Sequence, residues 1–435
     1  MSRPLDFFKY RRGSLYVDGV SLSEIATRVG TPAYVYSAKG FLTPLRELRA
    51  GLKDVDHLIC FAAKSCSNIS ILKLLNKEGA GLDLVSGGEL FRAKRAGVPA
   101  EKVLFSGVGK TRDELASALR YGSRGIYSIN VESVEELHAL QEVARSLSVR
   151  ARVALRFNPD VNPKTHPYIS TGLKKNKFGM TRSEVLHVAA HAEKLPNVRI
   201  CGISSHIGSQ LLSLAPLSDA FARVAQVIRE IEPRLREPLE FVDLGGGLGI
   251  AYKDETPPSI KDYCKTILKH FGPGSPIARD RNKPLRILLE PGRALSGNAG
   301  VLLTQALYRK HRPGKDFLIV DAAMNDLLRP ALYGSHHEVV PLDQKKGRGT
   351  RVKTDVVGPV CESGDCLASG RAISKQIQAG DHLAILSAGA YGFSMSSTYN
   401  SRPRPAEVLV QDGDFTIIRE RETYKDLIRG EHELD

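Results

Sequence analysis

His57-Leu-Ile-Cys-Phe-Ala-Ala-Lys64 and, further on, Gly81-Leu-Asp-Leu-Val-Ser-Gly-Gly-Glu89 share one pattern: an apolar run, then a stop of polar or glycine residues, then a segment of helical periodicity. A short apolar run bounded by turn residues reads as a buried strand, and a periodic segment after it as the helix that covers it. The unit recurs along the chain, with apolar runs at 57–61, 81–85, 103–105, 125–129, 152–156, 200–203, 241–244 and 285–289. Between them, Leu217, Phe221, Val224, Ile228 and Ile231 fall on one helical face, as do Leu137, Leu140, Val143 and Leu147. Thr111 stands three residues before Glu114 and Ser133 three before Glu136, the spacing of capping boxes that satisfy free N–H groups at a helix start. Eight strands alternating with helices predict a (β/α)8 TIM-like barrel in place of an open doubly wound sheet.

After about Val301 the texture changes to short β-like runs between turn residues, at 317–320, 338–340, 352–357, 383–386, 408–410 and 415–418. These predict a C-terminal all-β domain, and strand-like stretches at 14–19 and 33–36 are expected to join it from the other end of the chain. The expected division is 1–37 with the β domain, 38–309 as barrel and 310–435 as β domain.

The 435 residues are 42% hydrophobic, enough for large cores in about two domains. The net charge of +14 is spread along the chain without a Lys/Arg block, so a solvated basic surface is expected and nucleic acid is not. The chain has no apolar run of spanning length, and Met1-Ser-Arg-Pro-Leu-Asp has no apolar signal core, so no membrane partner and a cytoplasmic location are expected. Cys60, Cys66, Cys201, Cys264, Cys361 and Cys366 form no CxxC pair, which argues against a zinc site or a disulfide framework.

A barrel of this kind does chemistry at the C-terminal ends of its strands. The residues there are Lys64, Ser86-Gly-Gly-Glu89, Ser106-Gly107, Asn130, Arg156, His206-Ile-Gly-Ser209, Gly245-Gly-Gly-Leu-Gly249 and Glu290-Pro-Gly-Arg293. The turn at 245–249 bares backbone N–H groups that can bind a phosphate, and Arg293 adds charge after the next strand; a tight turn before a helix is the plainer reading. Lys64 ends an apolar strand, where its amine either snorkels to water or reacts with an aldehyde. His206 by itself is equally compatible with a satisfied core position. Glu290 shifts the balance, because a pyridine cofactor needs an acid to keep its ring nitrogen protonated. Lysine, glycine turn, arginine and acid together match each polar part of pyridoxal 5'-phosphate.

Longer motifs extend the match: FAAKS at 61–65, GLDLVSGGEL at 81–90, NVES at 130–133, STGLKKNKFGM at 170–180, SHIGSQ at 205–210, DLGGGLG at 243–249, EPGR at 290–293, GPVCESGD at 358–365 and GAYGFSMSSTYNSRPRPAE at 389–407. On these the chain resembles the fold-type III pyridoxal-phosphate-dependent decarboxylases, and among them the diaminopimelate decarboxylase family, nearly end to end. The resemblance implies decarboxylation of meso-2,6-diaminopimelate to L-lysine and CO2, with Lys64 covalently linked to the cofactor and His206 against its ring. It implies that Ser209, Gly246, Gly247, Gly292 and Arg293 hold the phosphate with Tyr391, and that Glu290 pairs with the ring nitrogen. Arg293, Arg329, Tyr333 and Tyr391 would bind substrate, Glu362 its distal ammonium, and Cys361 would donate a proton. In the family Cys361 and Glu362 come from a second subunit, which implies a homodimer with a shared active site. The family's lysine motif commonly continues Lys-Ala-Asn, whereas this chain has Lys64-Ser65-Cys66. Decarboxylases of ornithine, lysine, arginine or carboxynorspermidine, or a catalytically silent relative, are the alternatives. The stretch 158–178, rich in Pro and Gly, reads equally as a lid or as static packing.

Overall fold

A computed structural model describes residues 5–162, 171–172 and 176–434 of the chain. They form two compact units: one of Leu42–Gly249 and Thr256–Ala294, the other of the chain up to Phe41, Ile250–Glu255 and the chain from Leu295 onward.

The first unit is the predicted barrel. Its strands are β1 (His57–Ala62), β2 (Gly81–Leu84), β3 (Val103–Phe105), β4 (Ser128–Val131), β5 (Ala151–Arg156), β6 (Val198–Ser204), β7 (Phe241–Asp243) and β8 (Arg286–Leu289). Each pairs in parallel with its neighbours in chain order, and β8 closes on β1 through Ile287↔His57 and Leu289↔Ile59. The fourth strand lies three residues beyond the run expected from Gly125, because Gly125 (φ +75°) turns the chain before the ladder begins.

Side chains two apart on a strand share a face. Leu58, Cys60, Leu104, Ala154, Cys201, Phe241 and Leu288 pack together as the apolar floor of the barrel. Two residues beyond Phe241 and Leu288 come Asp243 and Glu290, so the same faces turn polar at the C-terminal ends. The covering helix Ala215–Ile231 buries Leu217, Phe221, Val224, Ile228 and Ile231, the predicted face. Thr111 and Glu114 form the reciprocal capping box. Ser133 caps its helix by accepting from the Glu136 N–H, but the Glu136 carboxylate turns instead to the Glu132 N–H and to Lys110. A buried lysine outcompetes the cap because a charge-assisted bond is the stronger.

In the second unit the long strand Gly300–Arg312 pairs antiparallel with Ala33–Ser37, Lys315–Val320 and His382–Ile385. Ala33–Ser37 also runs parallel to Ala406–Gln411 and is thus an interior strand of the β sheet, as expected of 33–36, whereas Ser14–Val17 pairs with Phe8–Arg11 and Val20–Ser21 in a separate three-stranded sheet. Phe8, Leu15, Val17, Ile25, Val35, Val301, Leu303, Val408 and Val410 make its core. The units divide at Ala294 and Leu295, earlier than 309, since Gly300–Arg312 is a single strand that carries three partners in this sheet. The strand Cys366–Ser374 was not expected: its Ser-Gly-Arg centre breaks the alternation, and it pairs with Arg351–Val357 through shifts of register.

Candidate active site

Lys64 stands in the single turn Ala63–Ser65 that ends β1, and its Nζ donates to Asp83 Oδ2 of β2 at 3.0 Å. The lysine side chain is 36% exposed while the Asp83 side chain is wholly buried. The amine therefore opens to solvent at the barrel mouth with its counter-charge fixed beneath it.

Deeper in the mouth is a cluster of acids. Asn130 Nδ2 of β4 lies 2.9 Å from Asp243 Oδ2, 3.2 Å from Glu290 Oε1 and 3.1 Å from Ser106 Oγ. Ser106 Oγ donates to Glu290 Oε1 at 3.3 Å, and the Gly245 N–H donates to Asp243 Oδ1 at 3.0 Å. Burial, and then the charges of Asp243 and Asp83, push Glu290 well above the usual carboxylate range; Lys64 opposes this. Asp243 is raised as well, by burial, but the hydrogen bond with Glu290 pulls it down. The two carboxyl groups are thus coupled, and Glu290 is the one held further toward its protonated form.

His206, just beyond β6, accepts the Gly246 N–H on Nδ1 at 3.2 Å. Burial, reinforced by the charges of Arg156 and Lys64, holds its pKa well below the ordinary value, so the ring is neutral with its proton on Nε2. Arg156 is itself tied to Glu132 at 2.5 Å, and Glu132 also accepts the Gly107 and Gly179 N–H groups.

The glycine turn is shaped by close approach. A Cβ on Gly246 would lie 2.3 Å from the Glu290 carbonyl oxygen, and one on Gly247 (φ +102°) 2.4 Å from that of Gly208. The turn is stitched to the next loop by Leu211 N–H to Gly247 O at 2.9 Å and Gly249 N–H to Leu211 O at 3.0 Å. Arg293 donates from Nε and Nη2 to Ser209 Oγ, both at 3.2 Å. Gly292 seats against Ala62 and Ser65 beside the lysine, with room for a Cβ only at 3.2 Å from either. Amine, neutral imidazole, acid and a side-chain-free turn flanked by arginine therefore meet at one end of the barrel, and they fit a pyridine aldehyde bearing a phosphate.

Sequence reasoning missed Asp83 and Asp243 because it weighed only the residues just past each apolar run, and both lie inside one. A charged residue in the middle of a buried strand was the signal that could have found them. A cavity of about 930 Å³ opens at the opposite end of this unit, where its acids are taken up in ion pairs such as Arg152–Glu240 at 2.7 Å, Arg229–Asp280 at 2.8 Å and Arg286–Asp56 at 3.2 Å. Lys64, His206, Glu290 and the glycine turn lie at the C-terminal mouth.

In the second unit, Arg329 is 4% exposed and opens the helix Arg329–Tyr333. Its Nη2 donates to Ser335 Oγ at 3.1 Å, and its guanidinium lies 5.4 Å from the Tyr252 ring centre and 5.5 Å from that of Tyr333. Asp365 shapes the loop that carries Cys361 and Glu362 by accepting the Met324 N–H at 2.7 Å and the Val360 N–H at 2.8 Å. Cys361 and Glu362 are exposed, the Cys361 N–H donates to Asn400 Oδ1 at 2.9 Å, and Tyr391 takes φ +55°. Of the stretch expected as a lid, residues 163–170 and 173–175 lie outside the described residues.

The family model described as "Pyridoxal-dependent decarboxylase, pyridoxal binding domain" matches residues 44–297. The fold and the site accordingly define a pyridoxal-dependent decarboxylase. Diaminopimelate decarboxylase of Pseudomonas fluorescens is 48% identical over 98% of this chain and 99% of its own, and that of Aquifex aeolicus 45% identical over 96% of each. The crystal structure of M. jannaschii diaminopimelate decarboxylase in complex with L-lysine superposes with a TM-score of 0.91 at 36% identity, covering 99% of both chains. The chain belongs to the diaminopimelate decarboxylase family.

Proposed function

We propose that the chain removes CO2 from meso-2,6-diaminopimelate to give L-lysine, with pyridoxal 5'-phosphate as cofactor. The observation that carries this is the convergence of Lys64, His206, Glu290 and the glycine turn at one mouth of the barrel, in a chain whose relatives bear that activity in their names. When bound, the cofactor supplies an electron sink for the pair released as the Cα–carboxylate bond breaks.

Lys64 would make the covalent link to the cofactor, and Asp83 holds its amine at the mouth. Ser209, Gly246, Gly247, Gly292 and Arg293 would hold the phosphate, with Tyr391 as a further ligand. Glu290 would pair with the ring nitrogen. His206 would pack against the ring, and its neutrality would keep a positive charge away from a ring that must stay cationic.

Arg293, Arg329, Tyr333 and Tyr391 grip substrate carboxylate and Glu362 its far ammonium. A substrate ending in a bare cation would set that cation against a desolvated arginine, at a cost of several kcal/mol. Cys361 returns a proton to Cα. The surface position of Cys361 and Glu362 supports their service to a second copy of the chain, hence a homodimer with shared sites. No described helix is long and apolar enough to cross a membrane, in keeping with a cytoplasmic enzyme.

Purified protein given diaminopimelate, ornithine, lysine or arginine should release CO2 only from the first and yield L-lysine. It should carry a visible absorbance band that Lys64→Ala abolishes. Turnover of ornithine in place of diaminopimelate would overturn the substrate, and a folded protein that takes up no cofactor would overturn the whole reading.

A further inference from the structure

The chemistry above employs Glu290 and leaves idle two buried groups in contact with it, Asp243 and Asn130. A carboxylate inside a barrel is costly without a cation. Among the described residues Asp243 has no ion-pair partner; it is held by Asn130 Nδ2 at 2.9 Å, by the Gly245 N–H at 3.0 Å and by Glu290. The single amide of Asn130 fastens both carboxyl groups, and its Oδ1 is buried without a protein donor. Such a clamp is more than packing requires, since an apolar pair of similar shape would fill the space with no desolvation cost.

We propose that Asp243, clamped by Asn130, is the positioning residue that keeps the ring nitrogen of the bound cofactor protonated, acting through Glu290. This rests on the cofactor reading given above. As the cofactor seats, the Glu290 O–H bond breaks and a ring N–H bond forms, which leaves Glu290 a carboxylate that accepts from that N–H; nothing is oxidised or reduced. Asp243 remains an anion one hydrogen bond away, and in a medium of low dielectric its charge opposes loss of the ring proton. The other titratable groups facing the pair are Asp83, Lys64, the Cys60 thiol and the Tyr263 hydroxyl. Asp83 is matched by Lys64, while burial pushes Cys60 and Tyr263 up and keeps them neutral. Asp243 is therefore the charge that the ring nitrogen feels through Glu290.

The test follows the ring nitrogen itself. Pyridoxal phosphate labelled with 15N in the ring is bound to the holoenzyme, and its chemical shift is followed from about pH 6 to about pH 10. In the unaltered protein the nitrogen stays protonated across the range, and in Asp243→Asn it loses its proton with a midpoint lower by about 1–3 pH units. The double variant Asp243→Asn with Asn130→Asp returns one carboxylate and one amide to the pair and restores the original titration. Asn130→Ser keeps the charge but releases the clamp, and lowers the midpoint by less. An unchanged midpoint in either single variant, or a double variant that binds cofactor yet is not restored, overturns the assignment. Failure of the cofactor reading looks different: the unaltered protein would then leave the label free in solution.

Discussion

Lys110 offers a sharp test of how the mouth of the barrel is held. Its Nζ donates to the Gly107 carbonyl at 2.6 Å, the Asn130 carbonyl at 2.9 Å and Glu136 Oε1 at 2.6 Å, with side chains of Lys110 and Glu136 only 1% and 9% exposed. Lys110→Ala leaves a buried carboxylate and two strand-end carbonyls without their donor, a loss of about 3–5 kcal/mol. A folded unit has about 5–15 kcal/mol in hand, so the variant should fold and be markedly weakened. With an m-value of about 3 kcal/mol/M, the urea midpoint falls by about 1–1.7 M. Circular dichroism and tyrosine fluorescence follow the transition, since the chain has no tryptophan. The pH dependence has a definite sign. Burial already raises Glu136 above its ordinary 4.5 against the pull of Lys110, and removing the lysine raises it further. A raised native pKa favours the native state once the group is protonated, so the deficit is largest near neutral pH and shrinks as pH falls toward 4.5. A loss under about 1 kcal/mol, or a deficit that grows on acidification, would refute the reasoning.

Three further outcomes are expected. Gly246→Ala would force a Cβ to within 2.3 Å of the Glu290 carbonyl, so cofactor affinity, read by fluorescence titration, should fall at least about tenfold while the barrel's circular dichroism persists. Cys361→Ala should slow turnover about a hundredfold or divert protonation and leave the cofactor band intact; turnover at the original rate would remove the thiol from the mechanism. His206 should remain neutral by 15N-resolved NMR below pH 6.5. Because its native pKa is lowered, its contribution is fully present above the unfolded value of 6.5 and is lost as pH falls from there toward the native pKa, and His206→Phe should flatten this part of the stability profile.

Much of the fold and part of the candidate site were legible in the chain. The eight strands could be read because buried parallel strands must be apolar throughout and their covering helices must be one-sided, requirements that act on neighbours in sequence. Lys64, His206 and Glu290 stood out for the same local reason, each following the end of an apolar run, and Arg293 for its charge in the loop just after Glu290. Cys366–Ser374 escaped because an irregular edge pairing does not impose alternation on the strand that makes it.

Tertiary structure alone decided which buried acids are coupled. Asn130 meets Asp243 from 113 residues away and Glu290 from 160, a distance set by closing the barrel and not by any periodicity. Asp83 under Lys64, and the turning of Glu136 from its cap to Lys110, depend likewise on strands brought side by side. Local pattern governs which faces must be buried. Electrostatic pairing falls off with distance in space, to which sequence separation is no guide until the chain has folded.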